Sequence, residues 1–216
     1  MGFSRADKIL DWVKGPKVLD VGCTSHTVEI GSAEWLHGRL REKFLSVAGI
    51  DISAQNVETL KRHGFGDVHV ASAETFELPG KFDTVVAGEV IEHLANPGLF
   101  LRQARAHLEP DGRLVLTTPN PFSVAYFLYA VVKYPKTCYN PEHTCWFCLR
   151  TMTEIAQRNG FRVSHFDLID DYGPGDPSFL YRQFGRLMVL MSPMLPKRLR
   201  KTMLFVLVPD HDRAAS

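Results

Sequence analysis

Glu89, Glu92 and His93 place two carboxylates and an imidazole within five positions, and a second imidazole, His143, stands in Asn140-Pro141-Glu142-His143. Imidazole changes charge close to neutral pH, so His93 and His143 are both candidate bases for removing a proton from a hydroxyl. Glu89 and His93 are four residues apart, one face of a helix, and two carboxylates with two imidazoles suit a divalent cation. A lone histidine is as often a hydrogen-bonded packing residue, and the residue types alone leave these roles open. Cys138, His143, Cys145 and Cys148 could form a zinc site around Cys145-x-x-Cys148, but with only that one close pair the cysteines are read as reduced thiols in an aromatic lid.

A second group of residues suits a ligand with an amino-acid end and a ribose. Gly22 directly follows the first apolar run, where the missing side chain lets backbone approach a bound molecule. A pyrophosphate site would need Gly-x-Gly-x-x-Gly, and Gly22-Cys23-Thr24-Ser25-His26 has only the first of those glycines. The loop therefore suits a smaller carboxylate better than a dinucleotide, which disfavours a dehydrogenase. Asp51 closes the second apolar run; its two oxygens could accept both ribose hydroxyls, or it could be a turn aspartate.

These residues sit where strand-like and helix-like segments meet. Lys17 to Gly22, Val47 to Asp51, Val68 to Ala71, Phe82 to Ala87 and Arg113 to Thr117 are short apolar runs of buried parallel strands. Residues 4–14 and 32–45, a segment capped by Ser53 and closed by Gly64, and one capped by Asn96 with Pro97 at its first position carry the helical period. The alternation predicts an α/β, doubly wound, open parallel sheet with helices on both faces, its ligand at the carboxyl ends of the strands. After a turn at Pro110-Asp111-Gly112, the segment 121–149 reads as an irregular aromatic lid, with a capping box at Thr151-Met152-Thr153-Glu154 opening the next helix. Strands Phe161 to Leu168 and Met203 to Val208 end the pattern.

At 216 residues, 45% hydrophobic and 23% charged, the chain is expected to be one globular domain, 1–216. A net charge of +1 supplies no field for gathering polyanions, so a nucleic-acid partner is not expected. No export signal and no apolar run of ~18 residues is visible, and a cytoplasmic protein with reduced thiols is expected. Between 177 and 209 six basic residues (Arg182, Arg186, Lys197, Arg198, Arg200, Lys201) stand without an acidic one. That stretch is a solvated basic face or, through 182–201, a peripheral contact with the inner face of an anionic membrane.

Val18-Leu19-Asp20-Val21-Gly22-Cys23, Gly49-Ile50-Asp51-Ile52-Ser53, Ala71-Ser72-Ala73-Glu74, Phe82-Asp83-Thr84-Val85-Val86, Glu89-Val90-Ile91-Glu92-His93-Leu94 and Leu114-Val115-Leu116-Thr117-Thr118-Pro119-Asn120 together resemble the motifs of class I S-adenosylmethionine-dependent methyltransferases. They fall in family order over roughly residues 15 to 170. The resemblance implies a Rossmann-like, mostly parallel seven-stranded sheet with an antiparallel last strand. It implies S-adenosylmethionine as cofactor and S-adenosylhomocysteine as product. Asp20, Gly22 and Cys23 would face the methionine end, Asp51 the ribose, Ile52 the adenine face, and Ser72, Ala73 and Glu74 the adenine edge, with Gly88 completing the set. The family often has Asp where Ser72 stands, and its glycine-rich loop is altered at Thr24 and His26.

The implied reaction is O-methylation of a small or carrier-linked acceptor, such as a sugar or lipid-linked hydroxyl, with His143 or His93 as base under lids at 121–149 and 172–201. Glu89, Glu92, His93 and His143 also resemble the metal site of terminal 2'-O-methyltransferases acting on small RNAs. That gives a metal-assisted alternative, although the same string occurs in metal-free relatives. A cofactor-binding module without catalysis is the third reading.

Overall fold

The computed structural model describes residues 4–24, 30–32, 34–133, 140–169 and 196–211, with backbone alone at 125, 129, 132 and 133. Five apolar runs become parallel strands: β1 (Lys17–Val21), β2 (Ser46–Asp51), β3 (Val68–Val70), β4 (Phe82–Gly88) and β5 (Leu108–Pro119). With β6 (Phe161–Ile169) and β7 (Thr202–Pro209) they form one seven-stranded sheet in the order β3-β2-β1-β4-β5-β7-β6. Only β7 runs against its neighbours, pairing antiparallel with both β5 and β6.

Successive residues of each strand serve opposite faces, as the pleat demands. Leu19, Val85, Leu114 and Leu116 pack with Phe100 and Leu101 of α4 (Pro97–His107) and with Met152 and Ala156 of α6 (Leu149–Arg158). Val18, Val86 and Val115 pack on the other side with Ile9 of α1 (Arg5–Leu10) and Leu40 of α2 (Leu36–Lys43). Helix α3 (Ala54–Arg62) puts Val57 and Leu60 against Val68 and Trp35. Each such fully buried side chain contributes about 1.5–3 kcal/mol, which fixes the strand ends that carry the site.

Three local readings of the sequence need correction. Residues 121–149 are not irregular throughout, because α5 (Val124–Lys133) occupies the middle. Ser123 starts it, its hydroxyl accepting from the Tyr126 N–H at 3.3 Å. Helix α6 begins at Leu149 and not after Thr151, since the Thr151 hydroxyl accepts from the Cys148 N–H at 2.9 Å and turns the chain one step earlier. The turn at Pro110–Gly112 lies inside β5 as an irregularity of register, with Phe82 opposite Leu108 but Thr84 opposite Arg113. Residues 172–195 of the second expected lid lie outside the described residues.

Candidate functional site

Strand order reverses between β1 and β4, where Val21 lies opposite Ala87, and the chain leaves both strands into one crevice. Gly22 has φ +79°, a conformation that favours glycine, and a Cβ there would fall 2.7 Å from the side-chain Cγ2 of Val90, which would have to shift. Gly22 and Cys23 both donate their N–H to Ile50 O, at 2.8 and 3.1 Å. The Trp35 indole N–H donates to Cys23 O at 2.9 Å.

Asp51 accepts one backbone N–H on each oxygen, from Thr24 at 3.1 Å and Ser53 at 2.9 Å. Each carboxylate oxygen keeps a further acceptor position for a ribose hydroxyl. Ile52 beside it is 78% exposed. The Ala71 N–H donates to Asp51 O at 3.0 Å, bringing half-buried Ser72 and Ala73 alongside.

Four residues expected at the cofactor are engaged within the protein. Asp20 is 2% exposed and bonds His37 Nδ1 at 3.1 Å. Glu74 turns to the start of α4, accepting the Asn96 N–H at 2.9 Å. Gly88 faces Leu36 and Ile9 in the layer behind the sheet. The Cys23 side chain is buried, and burial pushes its thiol up, so only its backbone serves the loop. His37, fully buried, was invisible in the sequence because its partner lies seventeen residues away in another element.

At the end of β4 the chain turns sharply at Glu89, a non-glycine residue at φ +56°. Its side chain lies 3.9 Å from Arg5 Nη1 and outside the cluster of Glu92, His93 and His143; residue 89 is not helical, and the single turn is Ile91–His93. Three of the four expected metal ligands are brought together without it: one ligand atom each of Glu92, His93 and His143 lie within 4.8 Å of one another. The His93 and His143 rings are 4.8 Å apart, and His143 is 5.6 Å from the Trp146 ring.

Glu92 is 1% exposed, and its carboxyl has no close hydrogen bond, only the weaker approach of the buried Thr118 hydroxyl and of its own backbone N–H. Burial, then the neighbouring Glu89, pushes Glu92 up to about 9, so it is a neutral acid at pH 7. Burial, then nearby His93, pushes His143 down to about 4 and leaves a neutral imidazole. Thr144 ties this loop to the Glu92 turn, its N–H donating to Glu92 O at 2.8 Å and its hydroxyl to Leu94 O at 2.6 Å. Beyond Trp146 opens a cavity of about 800 Å³ lined by Phe122, Tyr126, Phe127, Phe147 and Leu199 among others. Cys145 and Cys148 are free thiols, and Cys148 begins α6 at the cavity wall.

The profile of the methyltransferase-domain family matches residues 6–165, spanning the crevice and every strand from β1 to β5. The chain belongs to the class I S-adenosylmethionine-dependent methyltransferases. It is 32% identical over 175 residues to the ubiquinone biosynthesis O-methyltransferase of Nitrobacter winogradskyi, covering 75% of this chain and 62% of that one. It is 32% identical over 123 residues to the protein of the same name from Bradyrhizobium diazoefficiens, covering 55% of this chain and 46% of that one. The methyltransferase chain thus spans only about half to three fifths of these relatives' length. An S-adenosylmethionine-dependent methyltransferase structure from Archaeoglobus fulgidus shares the fold, with TM-score 0.62 at 19% identity over 94% of this chain and 90% of that one. S-adenosylmethionine fits the residues present in this methyltransferase, with a glycine turn at Gly22 closing β1 and acceptor positions on Asp51 beside exposed Ile52.

Proposed function

We propose that this methyltransferase O-methylates an acceptor whose hydroxyl reaches His143 and whose apolar body fills the aromatic cavity. The observation that carries this reading is a neutral imidazole at the Trp146 edge of an apolar cavity of about 800 Å³. S-adenosylmethionine supplies a methyl carbon on a sulfonium, and the acceptor oxygen displaces the thioether in line. Most of the protein's contribution is then to hold acceptor and donor in a near-attack geometry, which the fixed loops at 22–24 and 140–148 favour.

The hydroxyl proton passes to His143. A base held as low as about 4 is poorly matched to an aliphatic alcohol and better matched to a phenol, whose proton is held near ~10. The neutral Glu92 carboxyl can donate a hydrogen bond to the acceptor oxygens. An apolar lining favours a small or lipid-linked phenol over an RNA ribose. Exposed Lys197 and Arg198 flank Leu199 at the cavity wall, and Phe122 and Phe127 line it while being 66% and 65% exposed. These features support delivery of the acceptor from an anionic membrane surface on the cytoplasmic side. Among the described residues no helix is long and apolar enough to cross a membrane.

The Glu92, His93 and His143 cluster favours a second reading, in which these three residues hold a divalent cation. Such a cation would lower the acceptor hydroxyl's pKa and offset the burial of Glu92. Labelled-methyl transfer to a panel of prenylated phenols, sugars and short RNAs, before and after exhaustive chelation, separates the readings. Transfer to phenols that survives chelation and falls in His143→Ala supports the metal-free mechanism; transfer abolished by chelation supports the cation. Transfer only to RNA or sugars refutes the phenol assignment.

A further inference from the structure

Thr24 stands where a phosphate-cradling loop would have its second glycine, and its side chain is buried, as is that of Cys23 before it. Such a turn is held by its contacts and not by backbone freedom. Gly22 and Cys23 donate their N–H groups to Ile50 O, Thr24 donates to Asp51 Oδ2 at 3.1 Å, and Cys23 O accepts from the Trp35 indole at 2.9 Å. The last two bonds share one peptide group. Cys23 C=O and Thr24 N–H are opposite ends of a single planar unit, so neither turns without the other. Trp35 grips one end and Asp51 the other.

Trp35 is fixed for that task by its own surroundings. It is buried at the N-cap of α2, packed with Cys23, Val57, Leu60 and Val68 and edge-on to the Phe65 ring at 5.0 Å. The indole lies over the first turn of its own helix, where a Cβ on Gly38 would come within 2.7 Å of Trp35 Cε3. Glycine is a poor helix former, so α2 carries a weak residue in its interior and the ring gains its place. Buried among apolar side chains, the indole N–H needs an acceptor, and Cys23 O is that acceptor. Two residues on, His37 holds Asp20, so the start of α2 grips the end of β1 as well.

We propose that Trp35 is a positioning residue for the methyl donor, acting through the Cys23–Thr24 peptide on Asp51. The indole N–H sets the plane of that peptide, and the peptide N–H sets Asp51 Oδ2. With the Ser53 N–H on Oδ1, the carboxylate then keeps its remaining acceptor positions turned to the ribose hydroxyls. Without the indole bond the peptide loses what fixes its plane, and Asp51 loses a donor that orients it. The inference rests on the donor reading of the crevice and is independent of which acceptor is methylated.

The test is calorimetry on the whole protein with S-adenosylhomocysteine, with thermal melts alongside. Trp35→Phe keeps an aromatic ring, removes the N–H and should weaken binding by roughly five- to fiftyfold. Benzothienylalanine at position 35, with the indole's shape and sulfur in place of the N–H, should do the same and serves if the phenylalanine variant does not fold. Asp51→Ala should weaken binding by roughly ten- to a hundredfold, and adding Trp35→Phe to it should cost no more than about twofold further, because the carboxylate that Trp35 positions is gone. Leu40→Val loosens the same helix within a different core cluster and should lower the melt with affinity unchanged. Parental affinity in a folded Trp35 variant, full additivity with Asp51→Ala, or an equal loss in Leu40→Val overturns the positioning role and leaves the donor reading standing. If Asp51→Ala itself binds as the parent does, the ribose reading fails and the proposal with it.

Discussion

The two halves of the crevice treat their polar groups in opposite ways. Around β1 and β2 the groups largely pair with one another: Asp51 holds two N–H donors, Asp20 holds His37 Nδ1, and Trp35 holds Cys23 O, with His37 Nε2 the buried exception. Around the ends of β4 and β5, the Glu92 carboxyl is buried with only weak approaches from the Thr118 hydroxyl and its own backbone, and Glu89 sits in a strained conformation. The first half is a preformed socket. The second stores unmet hydrogen bonding that an acceptor or a cation would satisfy, so stability and chemistry should respond to mutation in opposite directions there.

The largest expected effect comes from opening the closed half. Asp20→Ala leaves His37 buried without the carboxylate and should cost about 3–5 kcal/mol. Thermal melts would then shift down by roughly 6–20 °C, at ~2–4 °C per kcal/mol for a chain of this size. Asp20→Asn keeps a hydrogen-bonding atom and should recover much of the loss; a melt of Asp20→Ala matching the parent would erase the contrast between the halves.

Next in size, Asp51→Ala should remove about 1.5–3 kcal/mol of S-adenosylhomocysteine binding while leaving the sheet folded, read by calorimetry and circular dichroism together. The opposite sign is expected across the crevice. Glu92→Gln should raise stability at pH 7 by on the order of 1 kcal/mol or more while slowing methyl transfer. Its sign follows from linkage: the folded pKa of about 9 exceeds the unfolded one, so ionisation favours the unfolded chain increasingly from the ordinary carboxylate range up to about 9. The advantage of the glutamine variant should therefore shrink towards pH 4, and denaturant titrations at both pH values would show it.

The smallest effect concerns the anchor of α1. Arg39, then the Ser4 N–H, holds Asp7 below its usual range at a largely exposed site, so Asp7→Asn should cost under about 1 kcal/mol. Because the folded pKa is depressed, that contribution is present above the unfolded value and lost as pH falls through the folded one. Equal melts at pH 7 with a difference at pH 3 would invert the assignment.

Much of the closed half was legible in the sequence. Its strands are short apolar runs stopped by Gly22 and Asp51, and their ladder hydrogen bonds follow from the same residues that end them. The antiparallel strand also fell where the family resemblance put it. Helix α5 was hidden because Val-Ala-Tyr-Phe-Leu-Tyr-Ala-Val-Val is apolar all round, and a helix without a polar face leaves no period to read. The grouping of Glu89 with His93 failed for the reverse reason, since a four-residue spacing means one face only where the backbone is helical. The pairings of Asp20 with His37 and Arg5 with Glu89 are long-range, and no local pattern encodes them.

The position of β7 between β5 and β6 sets an order of events during synthesis. A ribosome delivers β1 to β5 first, with the crevice and its Gly22 and Asp51 turns, well before Thr202 emerges. Until then the inner edge of β5 and the whole of β6 carry unpaired backbone groups, an open invitation to strands of other nascent chains. Only the final strand seals both, and Asn120 then ties the end of β5 to the carbonyls of Arg198 and Arg200 at 3.0 and 2.7 Å. The wall that Leu199 gives the cavity is thus built after the crevice, so a chain cut before it would keep its donor-side turns and lose part of its acceptor wall.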